Sequence, residues 1–445
     1  MPHRDDLVPE QVAALSTAPP QSPSAGRIAI ISAGVGAGHD GAAAGLADRL
    51  ADQGFLVDRH DFLDLLPACA GRLLCGAYHR MLTWAPEGYQ RLYAATDRAA
   101  RPGVVWRALF RAAEQRMLRS LAPDTCAVVS TYPGAGQVLG ALRRRGLLTV
   151  PAFTYLTDFS VHTLWVAPGI DAHLAVHPVP AAQAHAQGAA AVTVVGPVTH
   201  PRFTPPRTGQ RAAARERFGL PAGAPLALLV AGSWGVGPVR RAAAEIRQTG
   251  VAVPVVVCGR NQALAEQLRQ DGIEHAFGWV EDMPGLMHAC DVLVQNAGGL
   301  TSLEAFAAGL PVASYRCIPG HGQTNAAALE EAGLAAWIRD PAELGPVLAE
   351  LLHGPRGRTQ RAVGLELHRS APGPVPAIAA RTGHRPTPTA RPAPTRLRGG
   401  RRIALTAATV AATVSLGVAT PLAYAYSETP ARFTAVAHYL DGDGR

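Results

Sequence analysis

His39 sits directly behind the glycine run Gly34-Val-Gly36-Ala-Gly38, which closes a β-branched stretch from Arg27 to Ala33. An imidazole titrates near neutrality, so a histidine at the mouth of such a loop suits a general base. Capping or packing a helix is the competing reading. Asp158 and His162 lie in Thr157-Asp-Phe-Ser-Val-His-Thr-Leu-Trp165, just after an apolar run of strand character. Ligands of open α/β sheets gather at such strand ends, so the two would either orient a base or cap the following turn. The densest stretch runs from Gly278 to Leu286 and on through Asn296 to Pro311. Its glycines let backbone approach a ligand, and Glu304 is placed to accept from ribose hydroxyls. The alternative for Glu304 is an acid favoured by a helix dipole.

These residues need elements to hold them. Arg27 to Ala33, the glycine run, and a small-residue pattern from Asp40 to Gln53 read as strand, loop and helix. Strand candidates continue at Cys126 to Ser130, Ala152 to Leu156, His173 to Val176 and Thr193 to Val195. Continuous apolar strands alternating with helices predict a parallel sheet covered on both faces. From Pro197 to Pro225 the composition turns to Pro, Arg and Thr with one short helix, Ala212 to Phe218, and then the pattern restarts. Leu226 to Val230 is a strand, Ala231 to Gly237 a second glycine loop, and Val239 to Gln248 a helix; Val253 to Cys258, Ala289 to Val294 and Leu310 to Ser314 follow as strands. The expected fold class is α/β, with two Rossmann-like doubly wound domains facing a cleft. At 445 residues one small domain is excluded.

A glycine loop aimed at a helix N-terminus favours an anion such as a diphosphate. All 41 basic side chains are arginine, which argues against a P-loop NTPase and a pyridoxal-phosphate enzyme, both of which need a lysine. The acid expected about 20 residues after a dinucleotide loop is ambiguous, because Asp58, Asp61 and Asp64 fall in what reads as a loop. A dehydrogenase is therefore unsupported. The net charge of +8 is local: residues 356 to 402 hold eleven Arg and one acid, Glu366, so the rest of the chain is nearly neutral. Without a nucleic-acid motif this basic run predicts an anionic membrane surface rather than DNA or RNA. The six Cys, with no CxxC pair, read as reduced core thiols, with neither a disulfide framework nor a metal site.

Ile403 to Tyr426 is 24 residues without a charge, long enough to span a hydrocarbon core of about 30 Å. A buried helix and a signal-like apolar region are the alternatives. Four Arg precede this stretch and Glu428 follows it, which predicts that the N-terminal part lies on the cytoplasmic face of the cell membrane, with a single-pass anchor near the C-terminus. Phe62 to Arg111, rich in Leu, Arg and aromatics, suits either helices lying in a membrane interface or an ordinary helical cover on the sheet.

Residues 27 to about 350 resemble the monogalactosyldiacylglycerol synthase group of glycosyltransferases, akin to the peptidoglycan lipid-intermediate N-acetylglucosaminyltransferases, all of the two-domain GT-B fold. The resemblance rests on Ser32 to His39, Thr157 to Trp165, Pro197-Val198, Cys258 to Asn261, Gly278 to Leu286, Ala297 to Pro311 and Ile318 to Asn325. It implies transfer of a hexose from a UDP-sugar to a lipid, expected to be diacylglycerol, with inversion and no further cofactor. Carried over, it makes His39 the base on the acceptor hydroxyl; Asp158, from its place after the strand, is the second catalytic candidate. The resemblance sets Gly36, Gly38, Gly232, Ser233, Gly235, Gly298, Gly299 and Thr301 about the diphosphate. Arg260 and Asn261 would neutralise leaving-group charge, Val280 and Met283 border the uracil, Glu304 hold the ribose, and Gln323 and Asn325 reach the sugar. Composition, pattern and resemblance together predict a disordered segment 1–26, an acceptor- and membrane-binding domain 27–200, a linker 201–225 and a UDP-sugar domain 226–354, with the part that follows lying outside the usual family pattern. A Pro/Arg-rich linker 355–402, a transmembrane helix 403–426 and a tail 427–445 complete the chain.

Two departures stand out. The position after Gly-Pro-Val, where relatives often carry Arg, is Thr199, with Arg202 close behind, and the family's sugar-gripping acidic or amide pair is replaced by His321 and Gly322. Two other functions fit the same architecture: a UDP-N-acetylglucosamine 2-epimerase, and a catalytically silent, membrane-tethered UDP-sugar-binding protein.

Overall fold

A computed structural model describes residues 26–98 and 103–383. The expected segment 1–26 (all but its last residue), the membrane span at 403–426 and the tail lie outside the described residues, and no described helix is long and apolar enough to cross a membrane.

The first sheet holds six parallel strands: β1 (Arg27–Ser32), β2 (Leu56–Asp61), β3 (Thr125–Ser130), β4 (Ala152–Tyr155), β5 (Ala172–Ala175) and β6 (Val192–Val194), in the order β2-β1-β3-β4-β5-β6. The second repeats the plan with β7 (Leu226–Val230), β8 (Val253–Val257), β9 (Ala276–Phe277), β10 (Val292–Gln295), β11 (Val312–Tyr315) and β12 (Ala335–Ile338), in the order β12-β11-β10-β7-β8-β9. Central strands such as β1, β3 and β7 are apolar without interruption because helices cover both of their faces. The strand order reverses between β1 and β3 and between β7 and β10. Such switch points open a crevice at the carboxyl ends of the strands, and both glycine loops lie there.

The helices that bear on the cleft are α1 (Ala37–Asp52), α2 (Ala70–Trp84), α3 (Pro86–Arg98) and α4 (Val104–Ser120) in the first domain, then α5 (Val239–Thr249), α6 (Leu300–Ala307) and α7 (His321–Glu331) in the second. The large apolar residues between Phe62 and Arg111 divide. Tyr89 is buried and Phe110 packs on Phe62, whereas Trp84 is 83% and Val104 72% exposed.

Two expectations need correction. Asp58 and Asp61 lie on a strand, β2, not in a loop, and Asp64 falls in the short helix that follows. This edge strand is half-exposed and so carries polar residues. Nor is 355–402 a linker throughout, because it begins with two helices, α8 (Pro355–Ser370) and α9 (Pro374–Thr382). In each, proline occupies the first turn, where a missing N–H costs no hydrogen bond. Gly364 of α8 packs against Phe306, and α9 returns to the first domain, burying Val375 and Ile378 beside α1. The short helix expected at Ala212 to Phe218 within the linker runs over Gln210–Arg217, and its Arg215 is buried and paired with Asp291.

Candidate active site

Two helix N-termini approach one another across the cleft. Helix α1 begins after Gly36 and α6 after Gly299, and the two helices pack together. A Cβ on Gly41 would lie 2.3 Å from Leu300 Cδ2, so the starts of α1 and α6 are in close contact. Free N–H groups and the positive ends of two dipoles thereby converge on one region, a setting for a diphosphate.

His39, in the first turn of α1, is half-buried. Its Nδ1 is 2.9 Å from Thr157 Oγ1, and Thr131 Oγ1 donates to its backbone carbonyl at 3.2 Å. Tyr132 meets the ring edge-on at 5.4 Å between centroids and Trp165 lies at 5.8 Å. Burial lowers the imidazole pKa, with Asp158, the Thr131 carbonyl and Asp40 acting in the opposite sense. The ring is therefore neutral near pH 7, as a base must be.

Asp158 does not hydrogen-bond His39. Its Oδ2 accepts from Trp165 Nε1 at 3.1 Å, and its Oδ1 faces Asn325 Nδ2 at 3.5 Å. It acts on His39 through its charge and by fixing the neighbouring indole. His162 resolves to the capping reading: its Nδ1 accepts from Leu164 N at 3.1 Å.

In the second domain Glu304 makes no side-chain hydrogen bond among the described residues, and desolvation pushes its carboxyl up to about 8. A desolvated acceptor is what a ribose diol would satisfy. Gly298 (φ +82) lies against Asn325 Cβ, which a side chain on the glycine would meet at 2.6 Å. The second glycine loop is locked by Gly259, whose missing Cβ would lie 2.4 Å from the Gly232 carbonyl, and by Arg260 N donating to the Ser233 carbonyl at 2.9 Å. Gly232 and Gly235 both have positive φ.

Some expected ligands have other duties. Asn325 is fully buried: its Oδ1 accepts from Ser160 N at 2.8 Å and Ser160 Oγ at 3.1 Å, and its Nδ2 donates to the Ala297 carbonyl at 3.0 Å. These bonds tie the two domains together. Asn261 caps the helix Gln262–Gln270 through Leu264 N, at 3.0 Å. Arg260 is exposed, stacked over Trp279 at 5.1 Å, and has no acidic partner among the described residues, so it is available to a phosphate. Arg202, near the missing arginine position, pairs with Asp282, as does Arg217. Val280 and Met283 are partly buried against the core beside Asp282, while Thr301 is half-buried and Gln323 exposed on their helices.

Sequence reasoning missed the partners that cross the cleft. Tyr89 OH is 3.0 Å from His321 Nδ1, and Tyr93 OH is 3.3 Å from Thr324 Oγ1. Trp234 of the second glycine loop meets Tyr78 and His79 of α2, at 5.8 and 5.1 Å between centroids. A cavity of about 460 Å³ lies there, between His79, Leu82 and Thr83 on one side and Gly235, Asn261 and Ile318 on the other. Burial lowers the His321 pKa, with Asp158 opposing it and His39 reinforcing it, so both histidines lie in the field of one carboxylate. Among the described residues no group of His, Cys, Asp and Glu is gathered to hold a metal ion.

Comparison with known proteins agrees with this geometry. Residues 39–197 match the family described as monogalactosyldiacylglycerol (MGDG) synthase, and residues 230–353 match glycosyl transferases group 1. A processive diacylglycerol beta-glucosyltransferase of Bacillus mycoides is 28% identical over 285 residues, covering 60% of this chain and 70% of the relative. Among solved structures, a Streptomyces glycosyltransferase complexed with thymidine diphosphate superposes with a TM-score of 0.53 at 16% identity, over 80% of this chain and 99% of its own. Sucrose-phosphate synthase from Thermosynechococcus elongatus gives 0.50 at 16% identity, over 80% and 97%. The two structures share the fold, two facing Rossmann-like domains. With its two domains matched in order, the chain is similar to the monogalactosyldiacylglycerol synthase group in its first domain and to group 1 glycosyl transferases in its second.

Proposed function

We propose that the protein transfers a hexose from a UDP-sugar to a lipid hydroxyl, diacylglycerol being the acceptor its relatives' names carry. The observation that carries the reading is the convergence of two glycine-led helix N-termini on the cleft, with neutral His39 at one and unpartnered Glu304 at the other. The diphosphate would lie between the helix ends, the ribose on Glu304 and Arg260 beside the departing phosphate. His39 would take the acceptor proton while the acceptor oxygen attacks the anomeric carbon from the face opposite UDP, which inverts it. UDP leaves with the bonding electron pair, and positioned donors in a water-poor cleft supply most of the acceleration. No cofactor beyond the donor is invoked.

Exposed Trp84, Val104 and Val105 support contact with a membrane interface. The Arg-rich and apolar stretches at 385–402 and 403–426 support attachment to the cytoplasmic, anionic leaflet. The test is UDP release from UDP-galactose, UDP-glucose and UDP-N-acetylglucosamine in turn, with and without anionic vesicles containing diacylglycerol. Lipid-dependent release with one donor is expected and identifies the sugar. Donor turnover without lipid would point to the epimerase reading, and UDP binding without turnover to a silent binder.

A further inference from the structure

A base in an inverting transfer must present one nitrogen to the acceptor, and the group on its other nitrogen decides which one. In this chain no carboxylate among the described residues hydrogen-bonds His39. Asp158, the nearest acid outside α1 in its field, spends both oxygens elsewhere, on Trp165 Nε1 and towards Asn325 Nδ2. The side chain that hydrogen-bonds the ring is Thr157, its hydroxyl 2.9 Å from Nδ1, while the Thr131 backbone carbonyl also acts on the imidazole. Thr157 is 7% exposed, at the end of the peptide that leaves β4, and Trp165 beside it is 1% exposed. The imidazole is thus bracketed by Thr157 on one nitrogen, Tyr132 and Trp165 on its flanks and Thr131 on its carbonyl.

Resting on the transferase reading above, we propose that Thr157 is the positioning residue for His39: its hydroxyl oxygen accepts the Nδ1 proton and so leaves Nε2 as the basic nitrogen facing the acceptor. The acceptor O–H proton then passes to Nε2 as the new glycosidic bond forms and the bond to UDP breaks, the electron pair leaving with UDP. Asp158 contributes its field without exchanging a proton. The titratable groups whose charge reaches His39 are Asp40 on its own helix, Asp158 after β4 and His321 at the start of α7.

The experiment compares full-length wild type with Thr157→Val, Thr157→Ser and His39→Ala, reading UDP release with the working donor and diacylglycerol vesicles. Thr157→Val should lower kcat about 10- to 100-fold while the donor KM stays within about twofold, and Thr157→Ser should recover most of the loss. Imidazole ¹⁵N spectra, with His39 identified by its loss in His39→Ala, should show the Nδ1-protonated tautomer in wild type and a shift towards the other in Thr157→Val. This readout does not depend on turnover. Wild-type kcat and an unchanged tautomer in Thr157→Val, with His39→Ala inactive, would overturn the assignment of Thr157 alone. A fully active His39→Ala would overturn both the base and its positioning residue.

Discussion

Ser160 and Asn325, one in each domain, form a buried polar contact across the cleft: the Ser160 N–H donates to Asn325 Oδ1 at 2.8 Å and its hydroxyl to the same oxygen at 3.1 Å. Both residues are buried, so water cannot replace either partner. The same amide donates to the Ala297 carbonyl just before Gly298, which links the loop around Asp158 and the loop that starts α6 in one network.

Removing the amide therefore strands several groups at once. Asn325→Ala should cost about 1–3 kcal/mol, because buried donors and a carbonyl lose their partner, whereas Ser160→Ala, which keeps the backbone donor, should cost about 1 kcal/mol. Denaturant unfolding of the two single variants and the double variant checks the ordering. A double variant as stable as Asn325→Ala alone identifies the shared interaction.

How much of this was legible in the sequence differs by scale. The central strands announced themselves because burial on both faces demands unbroken apolar runs, as in Leu226–Val230. β2 hid because an edge strand tolerates Asp58, Arg59 and His60, and α8 and α9 hid because proline reads as a breaker unless its place in the first turn is known. At the site, His39 and Glu304 stood out by spacing from glycines. The cross-domain contact of Asn325 did not reveal itself, since its partner Ser160 is 165 residues away and nothing local records the approach. Thr157 carried no signal either, a hydroxyl beside an aspartate that seemed the better partner.

Glu304 gives a pH-dependent prediction. In the unfolded chain its carboxyl titrates at the ordinary value of 4.5, and in the fold desolvation raises it to about 8. The folded state holds the proton more tightly, so this contribution to stability is complete below about pH 4.5 and is lost as the pH climbs through about 8. Glu304→Gln stays neutral throughout, and its melting temperature should rise relative to wild type between about pH 5 and pH 8.5. If the carboxylate accepts from ribose hydroxyls, the same variant should bind UDP about 10- to 100-fold more weakly at pH 8. Calorimetry in buffers of different ionisation enthalpy should show proton release on UDP binding to wild type and none to Glu304→Gln.

Arg316 has φ +47, rare for a residue with a side chain, at the start of the loop that leads to His321. Its guanidinium meets Glu245 of α5 through two 2.5 Å hydrogen bonds. Burial alone would raise the Glu245 pKa, but hydrogen bonds from Arg316, Tyr315 and Arg241 outweigh it and hold the carboxyl at about 2. The stabilisation is thus present above 4.5, the ordinary value, and is lost as the pH falls towards 2. Glu245→Gln should destabilise by about 1–3 kcal/mol at neutral pH and progressively less in acid. Urea unfolding at about pH 7 and pH 3 measures the difference, and an equal deficit at both would remove the ion pair as its source.

Gly298→Ala should separate backbone geometry from chemistry in the loop before α6. The glycine has φ +82, and an added Cβ would lie 2.6 Å from Asn325 Cβ, an atom next to the backbone that cannot swing away. The two penalties act together: a left-handed conformation costs about 1 kcal/mol for alanine, and the clash must push α6 away from α7. Because the first turn of α6 supplies the N–H groups proposed to face the diphosphate, UDP affinity should fall more than global stability does. Gly299→Ala is the control, since its Cβ would meet nothing within 4 Å and its φ of 176 is extended backbone that any residue adopts. Equal UDP affinity in the two variants would show that the Gly298 loop does not carry the diphosphate.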